Sequence, residues 1–152
     1  MNEKNKILAN IRNDANIYTV LHHDYKNDKD IVLAAVIQNP LLIKVVPDVF
    51  KRDKEVVLAA VKTYGGALFY ASPAIKDDFD LIIEIVSKNG RMLEYASNNL
   101  KNNRTIVLEA VKQYGGALFF ASDELKEDKT FIEKAVELNP IAANFAPKDN
   151  SL

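Results

Sequence analysis

The sequence lacks cysteine altogether and contains only two histidines and five glycines among 152 residues. Without cysteine, neither a disulfide framework nor a thiolate metal site can form, so packing alone must stabilise the fold. No apolar run approaches the ~20 residues that a membrane-spanning helix needs. Lysine and arginine number 20, aspartate and glutamate number 21, and the formal net charge is -1. This balance provides no general attraction for nucleic acid or for an anionic membrane.

The first fourteen residues, MNEKNKILANIRND, have no apolar segment of the kind found in a signal peptide. We therefore expect a cytoplasmic protein, or one exported without a classical signal peptide. Hydrophobic residues make up 48% of the chain and charged residues 27%, which is typical of a globular protein. A compact chain of this length buries roughly 68–70% of its unfolded surface, which is enough for a core.

One stretch of 25 residues occurs twice, at positions 53–77 and 103–127. Fourteen of its 25 positions are identical, including the run YGGALF, which begins at Tyr64 and again at Tyr114. Self-similarity at a fixed period is typical of stacked-repeat proteins. Steps of 25 residues divide the chain into six repeats, which span residues 3–27, 28–52, 53–77, 78–102, 103–127 and 128–152. We therefore predict a single helical-repeat domain over residues 1–152.

Each repeat has 25 positions, which we call places 1 to 25. The first segment is apolar at places 5, 6, 8 and 9, as in Val57, Leu58, Ala60 and Val61. This spacing predicts a helix with one buried stripe. Place 9 is the most regular position of the chain, and we expect Val61 and Val111 to be structural core residues there. An Asp or Asn at place 1 predicts the N-cap of the helix.

A shorter second segment is predicted to follow the long helix. Place 13 holds Gly or Pro in five repeats, as at Gly65 and Gly115. These residues predict the end of the long helix, because proline cannot continue a helix and glycine accepts a left-handed turn. Apolar residues at places 15, 16, 18 and 19 then predict a second helix of about two turns. Small residues at place 19, including Ala71 and Ala121, would let two backbones approach closely. A cap at place 20 and an apolar residue at place 23 predict a one-turn connector.

The first and last repeats depart from this pattern. Lys6 and Asn10 replace apolar residues at places 4 and 8 of repeat 1, and Glu133 and Asn150 replace apolar residues at places 6 and 23 of repeat 6. Polar residues on the free face of a terminal repeat keep it soluble and prevent end-to-end stacking. We therefore expect both ends of the array to be capped.

Residues 53–78 read DKEVVLAAVKTYGGALFYASPAIKDD, and residues 103–128 follow the same pattern. This pattern resembles the tandem repeats of the family described as domain of unknown function 4116, and the resemblance extends over repeats 2 to 6 and is weaker in repeat 1. The resemblance implies helical-repeat modules of bacterial and protist proteins, some of them secreted effectors. The resemblance implies an all-helical interaction module, and it supplies no catalytic residues.

A second period, of fifty residues, distinguishes repeats 3 and 5 from the even repeats. Repeats 3 and 5 carry Tyr64 and Tyr114 at place 12, a Gly-Gly pair, and Phe69 and Phe119 at place 17. Even repeats carry polar residues at place 17, which indicates that this place faces outward. The four aromatic residues are thus candidates for a partner-binding surface. The alternatives are that each Phe packs against the Tyr of its own repeat, or that alternate repeats face a broader core.

A row of lysines at place 24 gives the strongest support for nucleic-acid binding. Its members are Lys26, Lys51, Lys76, Lys101 and Lys126. In a solenoid these lysines would form a ladder along one edge. Acidic residues stand beside them at place 25 and at the next helix start, as at Asp77 and Glu127. These acids would neutralise most of the field of the ladder, so we favour a solvated edge with local ion pairs.

Three other groups have simpler structural interpretations. The Gly-Gly pairs lack the Lys-Ser/Thr of a phosphate-binding loop, so helix termination and close backbone contact explain them better. His22-His23-Asp24 is the only cluster with metal-ligand or acid–base residue types, but adjacent helical residues point in different directions, and we interpret it as an exposed loop. Asp77, Asp78 and Asp80 suggest paired carboxylates, but Asp78 is at the helix-start place, which favours capping.

The sequence therefore predicts an all-α solenoid of six two-helix repeats, with a superhelical arrangement. We expect no enzymatic activity, no cofactor and no metal, since no triad, metal cluster or phosphate loop is present. The function that this pattern favours is a protein-interaction module or scaffold, and repeat-based nucleic-acid binding is the alternative.

Overall fold

The computed structural model describes residues 2–147, and every regular element in that range is a helix. Asn150, which belongs to the predicted cap of repeat 6, lies outside the described residues. The long α-helices of repeats 1 to 6 are Glu3–Asn13, Lys29–Gln38, Lys54–Thr63, Phe79–Lys88, Arg104–Gln113 and Lys129–Leu138. The predicted all-α repeat array is therefore confirmed.

The second helix of each repeat is a 3-10 helix, with three residues per turn. These helices are Ala15–Val20, Pro40–Lys44, Gly65–Tyr70, Gly90–Tyr95, Gly115–Phe120 and Pro140–Phe145. One-turn α-helices follow in the first five repeats, at His23–Lys26, Asp48–Lys51, Pro73–Lys76, Asn98–Lys101 and Asp123–Glu127. The chain divides into two compact units, one ending at Ile75 and the other beginning at Lys76, and interactions are described within each unit.

The long helices begin at the predicted caps. The place-1 side chain accepts a hydrogen bond from a backbone N–H of the first turn in repeats 2 to 6, at Asp28, Asp53, Asp78, Asn103 and Asp128. The one-turn helices of repeats 3 to 5 are capped in the same way by serine at place 20, whereas His22 and Pro47 at this place in repeats 1 and 2 make no side-chain cap. Ser97 accepts from the Leu100 N–H at 3.1 Å, and Ser122 accepts from the Leu125 N–H at 3.2 Å. Local capping therefore fixes both helix starts.

The left-handed glycine turn expected at place 13 is wrong. No glycine in the described residues has a positive φ. The helix ends one residue earlier, where the place-12 residue is extended, with φ of -143° at Tyr64 and -146° at Tyr114. Because this extended residue redirects the chain by itself, the glycine at place 13 begins the 3-10 helix in an ordinary right-handed conformation.

Two of the glycines at place 13, Gly90 and Gly115, instead allow close approach between neighbouring repeats. A Cβ atom on Gly90 would lie 2.0 Å from the carbonyl oxygen of Ala110, in the next repeat. A Cβ atom on Gly115 would lie 2.8 Å from the backbone nitrogen of Ala142, also in the next repeat. Both neighbours are backbone atoms, so the two repeats would have to move apart to accept a side chain.

The buried stripe of the long helix differs from the predicted one. Places 4, 5, 8 and 9 are buried in most repeats, as in Ile106, Val107, Ala110 and Val111, all 0% exposed. Place 6 is only half-buried, as Leu108 shows. Buried residues with the spacing i, i+1, i+4, i+5 form a wider stripe that packs against the neighbouring repeats on both sides. Place 6 lies at the outer edge of this stripe.

The structural residues expected at places 9, 13 and 19 differ in burial. Val111 is fully buried, whereas Val61 at the same place of repeat 3 is half-buried, so the expected burial of Val61 is corrected. Gly115 is buried and Gly65 is half-buried. The two alanines at place 19, Ala71 and Ala121, are each 5% exposed.

Within the second unit, the long helices of neighbouring repeats contact each other through different places. The side-chain amide of Asn139, at place 12 of repeat 6, donates to the carbonyl oxygen of Val111 at place 9 of repeat 5, at 2.9 Å. The guanidinium of Arg104 in repeat 5 lies 5.1 Å from the ring centroid of Phe131, at place 4 of repeat 6. Places 4, 8 and 12 therefore face the preceding repeat, and places 5 and 9 face the following one.

A backbone hydrogen bond also joins neighbouring repeats. The N–H at place 20 donates to the place-24 carbonyl of the preceding repeat at 2.9 Å in three cases, which are Ser72 to Lys51, Ser97 to Lys76 and Ser122 to Lys101. Pro47 occupies place 20 of repeat 2 and has no N–H. There the buried hydroxyl of Tyr18 donates to the Lys26 carbonyl at 3.1 Å, and burial raises the pKa of Tyr18 to about 12.

Ion pairs connect the starts of neighbouring long helices. Lys4 binds Asp28 at 2.8 Å and Lys29 binds Asp53 at 2.7 Å, so that place 2 of one repeat contacts place 1 of the next. Burial raises the pKa of Asp28 and Asp53, but hydrogen bonds from these lysines and from backbone N–H groups outweigh it, and both pKa values lie below the ordinary 3.8.

In the second unit, the pKa of Asp128 is lowered most strongly. Hydrogen bonds from the Thr130 hydroxyl, the Arg104 guanidinium and the backbone N–H of Phe131 lower the pKa of Asp128 well below its usual range. Arg104 approaches the carboxylate at 2.7 Å. The ionised form of this carboxylate is therefore favoured in the folded protein over the unfolded chain.

Acidification is expected to destabilise the fold. A carboxyl with a lowered folded pKa binds a proton more weakly in the folded state, so its stabilising effect is present above the unfolded pKa of about 3.8–3.9 and is lost as the pH falls through the folded value. We expect the free energy of unfolding, measured by urea titration, to decrease progressively below about pH 4.

Asn103 suggests the matched control, because it caps repeat 5 without a charge. Asp128→Asn keeps a cap oxygen but removes the titrating group. The variant is expected to show a smaller loss of stability than the parent protein between neutral and acidic pH. Identical pH profiles for the two proteins would contradict the role given to the Asp128 carboxylate.

Candidate partner-binding surface

The 3-10 helices of repeats 3 and 5 each present one exposed phenylalanine. Phe69 is 58% exposed and Phe119 is 65% exposed. Phe69 makes an edge-on contact with Tyr70, with ring centroids 5.1 Å apart, and Phe119 makes the same contact with Phe120 at 5.5 Å. Each exposed ring is thus supported by the aromatic residue that follows it.

The tyrosines at place 12 lie over the second glycine of the Gly-Gly pair. A Cβ atom on Gly66 would lie 2.6 Å from Cζ of Tyr64, and one on Gly116 would lie 2.5 Å from Cζ of Tyr114. The tyrosine rings remain 51% and 41% exposed, respectively. Phe69 pairs with Tyr70 and Phe119 with Phe120, whereas each place-12 tyrosine covers the backbone of its own repeat.

Asparagine replaces tyrosine at place 12 of the even repeats and acts differently. The side-chain oxygens of Asn39, Asn89 and Asn139 each accept a hydrogen bond at 3.2 Å from the backbone N–H two residues on. Tyr64 and Tyr114 make no such cap. The fifty-residue period therefore reflects two ways of starting the 3-10 helix, by an amide cap or by a tyrosine over glycine.

An open depression adjoins Phe119 in the second unit. Its apolar side is formed by Phe119, Phe145 and Pro147, and its polar side by Asp123 and Lys126. Phe145 is 36% exposed. An apolar centre with charged residues at its border has the composition of a protein-binding patch.

A second apolar depression lies between the long helices of repeats 2 and 3 and was not predicted from the sequence. Leu33, Ile37 and Leu58 form its apolar part, with Lys62 beside them. Ile37 is 51% exposed. Leu33 and Leu58 occupy place 6, which the sequence pattern assigned to the buried stripe. The sequence contained a signal for this exposure, because place 4 is apolar as well as places 5, 6, 8 and 9. One narrow helix face cannot bury all of these places.

The lysine row at place 24 is half-buried along its length. Lys51 contacts Asp48 at 2.9 Å and Lys126 contacts Asp123 at 2.8 Å, while Lys26 donates to the Thr19 carbonyl at 2.7 Å. Burial lowers the pKa of Lys76 and of Lys101. Lys26, Lys51 and Lys126 therefore each contact an acceptor of their own repeat.

His22, His23 and Asp24 lie together at the start of a one-turn helix. Asp24 contacts Nδ1 of His22 at 3.1 Å and Nε2 of His23 at 2.9 Å, and all three residues are exposed. Among the acidic residues, Asp78 caps the repeat 4 helix and accepts from the Leu81 N–H at 3.0 Å. Asp77 accepts hydrogen bonds from Ser97 and Asn99 of the next repeat. These carboxylates have structural roles.

Comparison with known proteins places the repeats in a family. The family model described as Domain of unknown function (DUF4116) matches residues 4–51, 28–76, 53–101, 78–126 and 103–150. The chain belongs to this family. Each match to the DUF4116 model spans two adjacent repeats and begins about 25 residues after the previous one, so the family unit is a pair of repeats, and repeat 1 is included.

Two further comparisons, one with curated proteins and one with solved structures, found no match for this DUF4116 chain. In the part of the chain that the structure describes, no helix has both the length and the apolar character needed to cross a bilayer. The partner-binding role of Phe69, Phe119, Tyr64 and Tyr114 stays a prediction.

Proposed function

We propose that this chain is a non-catalytic protein-interaction module that binds another protein through the aromatic residues of repeats 3 and 5. The exposure of Phe69 and Phe119 is the observation that carries the proposal. Aromatic residues are enriched in the cores of protein interfaces, where a few of them contribute most of the binding energy.

The even repeats support this proposal by contrast. At the same place they hold Lys44, Glu94 and Asn144, so an exposed phenylalanine is not required for the repeat to fold. The tyrosine side chain lies over the second glycine of the Gly-Gly pair, and the Phe ring contacts the aromatic residue that follows it. A rigid aromatic anchor loses little conformational entropy when it binds.

Substitution of both phenylalanines tests the proposal. We expect Phe69→Ala with Phe119→Ala to retain the helical circular-dichroism spectrum and the melting temperature of the parent, because both rings are exposed. Binding of partner proteins from a nuclease-treated lysate of the source organism should fall more than about tenfold, since truncation of an interface aromatic costs about 2 kcal/mol. Quantitative mass spectrometry of the retained proteins measures this loss.

The matched control is Lys44→Ala with Glu94→Ala, which truncates place 17 in two even repeats. This control should retain the same proteins as the parent. Equal retention by the phenylalanine variant and the parent would refute the binding role of Phe69 and Phe119. Retention that disappears for every protein after nuclease treatment, together with a gel shift of RNA or DNA, would favour nucleic-acid binding instead.

A further inference from the structure

The two histidines of the chain are neighbours, and both contact the same carboxylate. His22 and His23 are the only histidines among 152 residues. Nδ1 of His22 lies 3.1 Å from one carboxylate oxygen of Asp24, and Nε2 of His23 lies 2.9 Å from the other oxygen. All three side chains are exposed. Two imidazoles and one carboxylate therefore converge at the surface of repeat 1.

The backbone conformation allows the neighbouring histidines to converge. Adjacent residues of one helix point in different directions, but only His23 is helical. His22 precedes the helix His23–Lys26 in an extended conformation, with φ of -61° and ψ of 150°. The two rings can therefore lie side by side, and their centroids are 4.4 Å apart.

Hydrogen bonds hold the backbone of this turn in place. The carbonyl oxygen of His22 accepts from the backbone N–H groups of Tyr25 and Lys26, at 3.1 and 3.2 Å. The carbonyl oxygen of His23 accepts from the backbone N–H and the side-chain amide of Asn27, at 3.1 and 2.8 Å. The imidazole of His22 makes no helix cap. Only side-chain rotation is then needed to adjust the three donor groups, which lowers the entropy cost of binding a ligand.

The donor atoms have the type and the spacing of a transition-metal site. Imidazole nitrogen suits zinc, copper and nickel, whereas calcium and magnesium sites consist of oxygen ligands. One donor atom from each of the three residues lies within 4.8 Å of the others, and no second group of this kind occurs in residues 2–147. Zinc bonds of about 2.0–2.2 Å separate neighbouring ligands in a tetrahedral site by about 3.3–3.5 Å, so the nitrogen–oxygen distances would increase by only a few tenths of an ångström.

We propose that His22, His23 and Asp24 bind one divalent transition-metal cation of the zinc, copper and nickel class. Three protein ligands leave at least one coordination position of the cation for water or another molecule, and that position faces solvent because all three side chains are exposed. This site uses neither Phe69 nor Phe119, so it does not depend on the proposed function.

Titration of the full chain with Zn²⁺, without a polyhistidine tag, tests the site. Isothermal titration calorimetry at neutral pH should show saturable binding of one zinc ion per chain, and Mg²⁺ should give no comparable binding. Because the chain has two histidines, its proton NMR spectrum contains two imidazole Cε1–H signals. Both signals should shift with the same dependence on zinc concentration.

Substitution of one ligand gives the decisive comparison. His22→Gln should weaken zinc binding by more than about tenfold, because loss of even an outer-shell partner of a metal ligand costs about 10–100-fold in affinity. Asp48→Asn is the matched control, since it removes an exposed carboxylate from the one-turn helix of repeat 2, which has no histidine. This control should bind zinc as the parent does. Circular dichroism should show that both variants are folded, because the substituted side chains are exposed.

Four results would overturn the proposal. They are the absence of saturable zinc binding by the parent, unchanged zinc affinity of the His22→Gln variant, equally tight binding of Mg²⁺, and a zinc-induced shift of only one imidazole signal. The last result would show that a single histidine binds the ion without the other.

Discussion

Gly90→Ala is expected to destabilise the protein by about 3 kcal/mol, near the upper end of the range for overpacking a well-packed interior. The added methyl would lie 2.0 Å from the carbonyl oxygen of Ala110 and 3.2 Å from Cβ of Tyr114. These atoms belong to the next repeat, and the carbonyl cannot rotate away as a side chain can. Repeats 4 and 5 must therefore separate, which exposes part of their shared apolar face. Urea unfolding followed by circular dichroism measures the loss.

Gly116→Ala is the matched control. Its Cβ atom also lies close to a neighbour, 2.5 Å from Cζ of Tyr114, but that neighbour is the end of a half-exposed side chain. The tyrosine can rotate towards solvent, so we expect a loss below about 1 kcal/mol. Equal stability of the Gly90→Ala variant and the parent would contradict the close approach of the two repeats.

Val111→Asp is expected to cost about 4 kcal/mol or more, which is the range associated with burial of an unpaired charge. Val111 is 0% exposed, and its own backbone carbonyl accepts the hydrogen bond from Asn139. A carboxylate there would lie inside the interface of repeats 5 and 6. Because stability in repeat proteins depends on nearest-neighbour interfaces, the loss should extend to both adjacent repeats.

Val61→Asp occupies the same place in repeat 3 and serves as the comparison. Val61 is half-buried, so water reaches part of the new carboxylate and the loss should be smaller. Thermal melts of both variants beside the parent measure the difference. A Val111→Asp variant that melts with the parent, or no more easily than Val61→Asp, would contradict the burial of place 9 in repeat 5.

The helices and their starts could be predicted from the sequence because they depend on local chemistry. Asp53 or Asn103 accepts hydrogen bonds from N–H groups two or three residues away, and any repeat with that residue makes the same cap. The short second helix was also predicted, but its 3-10 geometry was not. Apolar spacing over six residues does not distinguish helix types, because two turns of either bury similar places.

Which residues are buried was harder to predict because it depends on contacts between repeats. A single repeat does not reveal whether Leu58 or Val56 faces a neighbour, since both lie near the apolar side of the helix. The structure buries Val56 at 0% and only half-buries Leu58. The role of Gly90 was likewise not visible, because its neighbour, Ala110, is twenty residues further along the chain.

The candidate surface was only partly accessible from the sequence. The fifty-residue period identified Phe69 and Phe119, because polar residues at the same place in even repeats indicated an outward direction. The position of Tyr64 over Gly66 needed three-dimensional geometry.

The central claim is that, within each compact unit, a repeat packs places 4, 8 and 12 against places 5, 9 and 13 of the repeat before it. Proton NMR tests this register directly through nuclear Overhauser effects across two interfaces. We expect cross-peaks between the α protons of Gly90 and the β protons of Tyr114, and between the α protons of Gly115 and the amide proton of Ala142. Absence of both cross-peaks in a folded, fully assigned sample would contradict the packing described here.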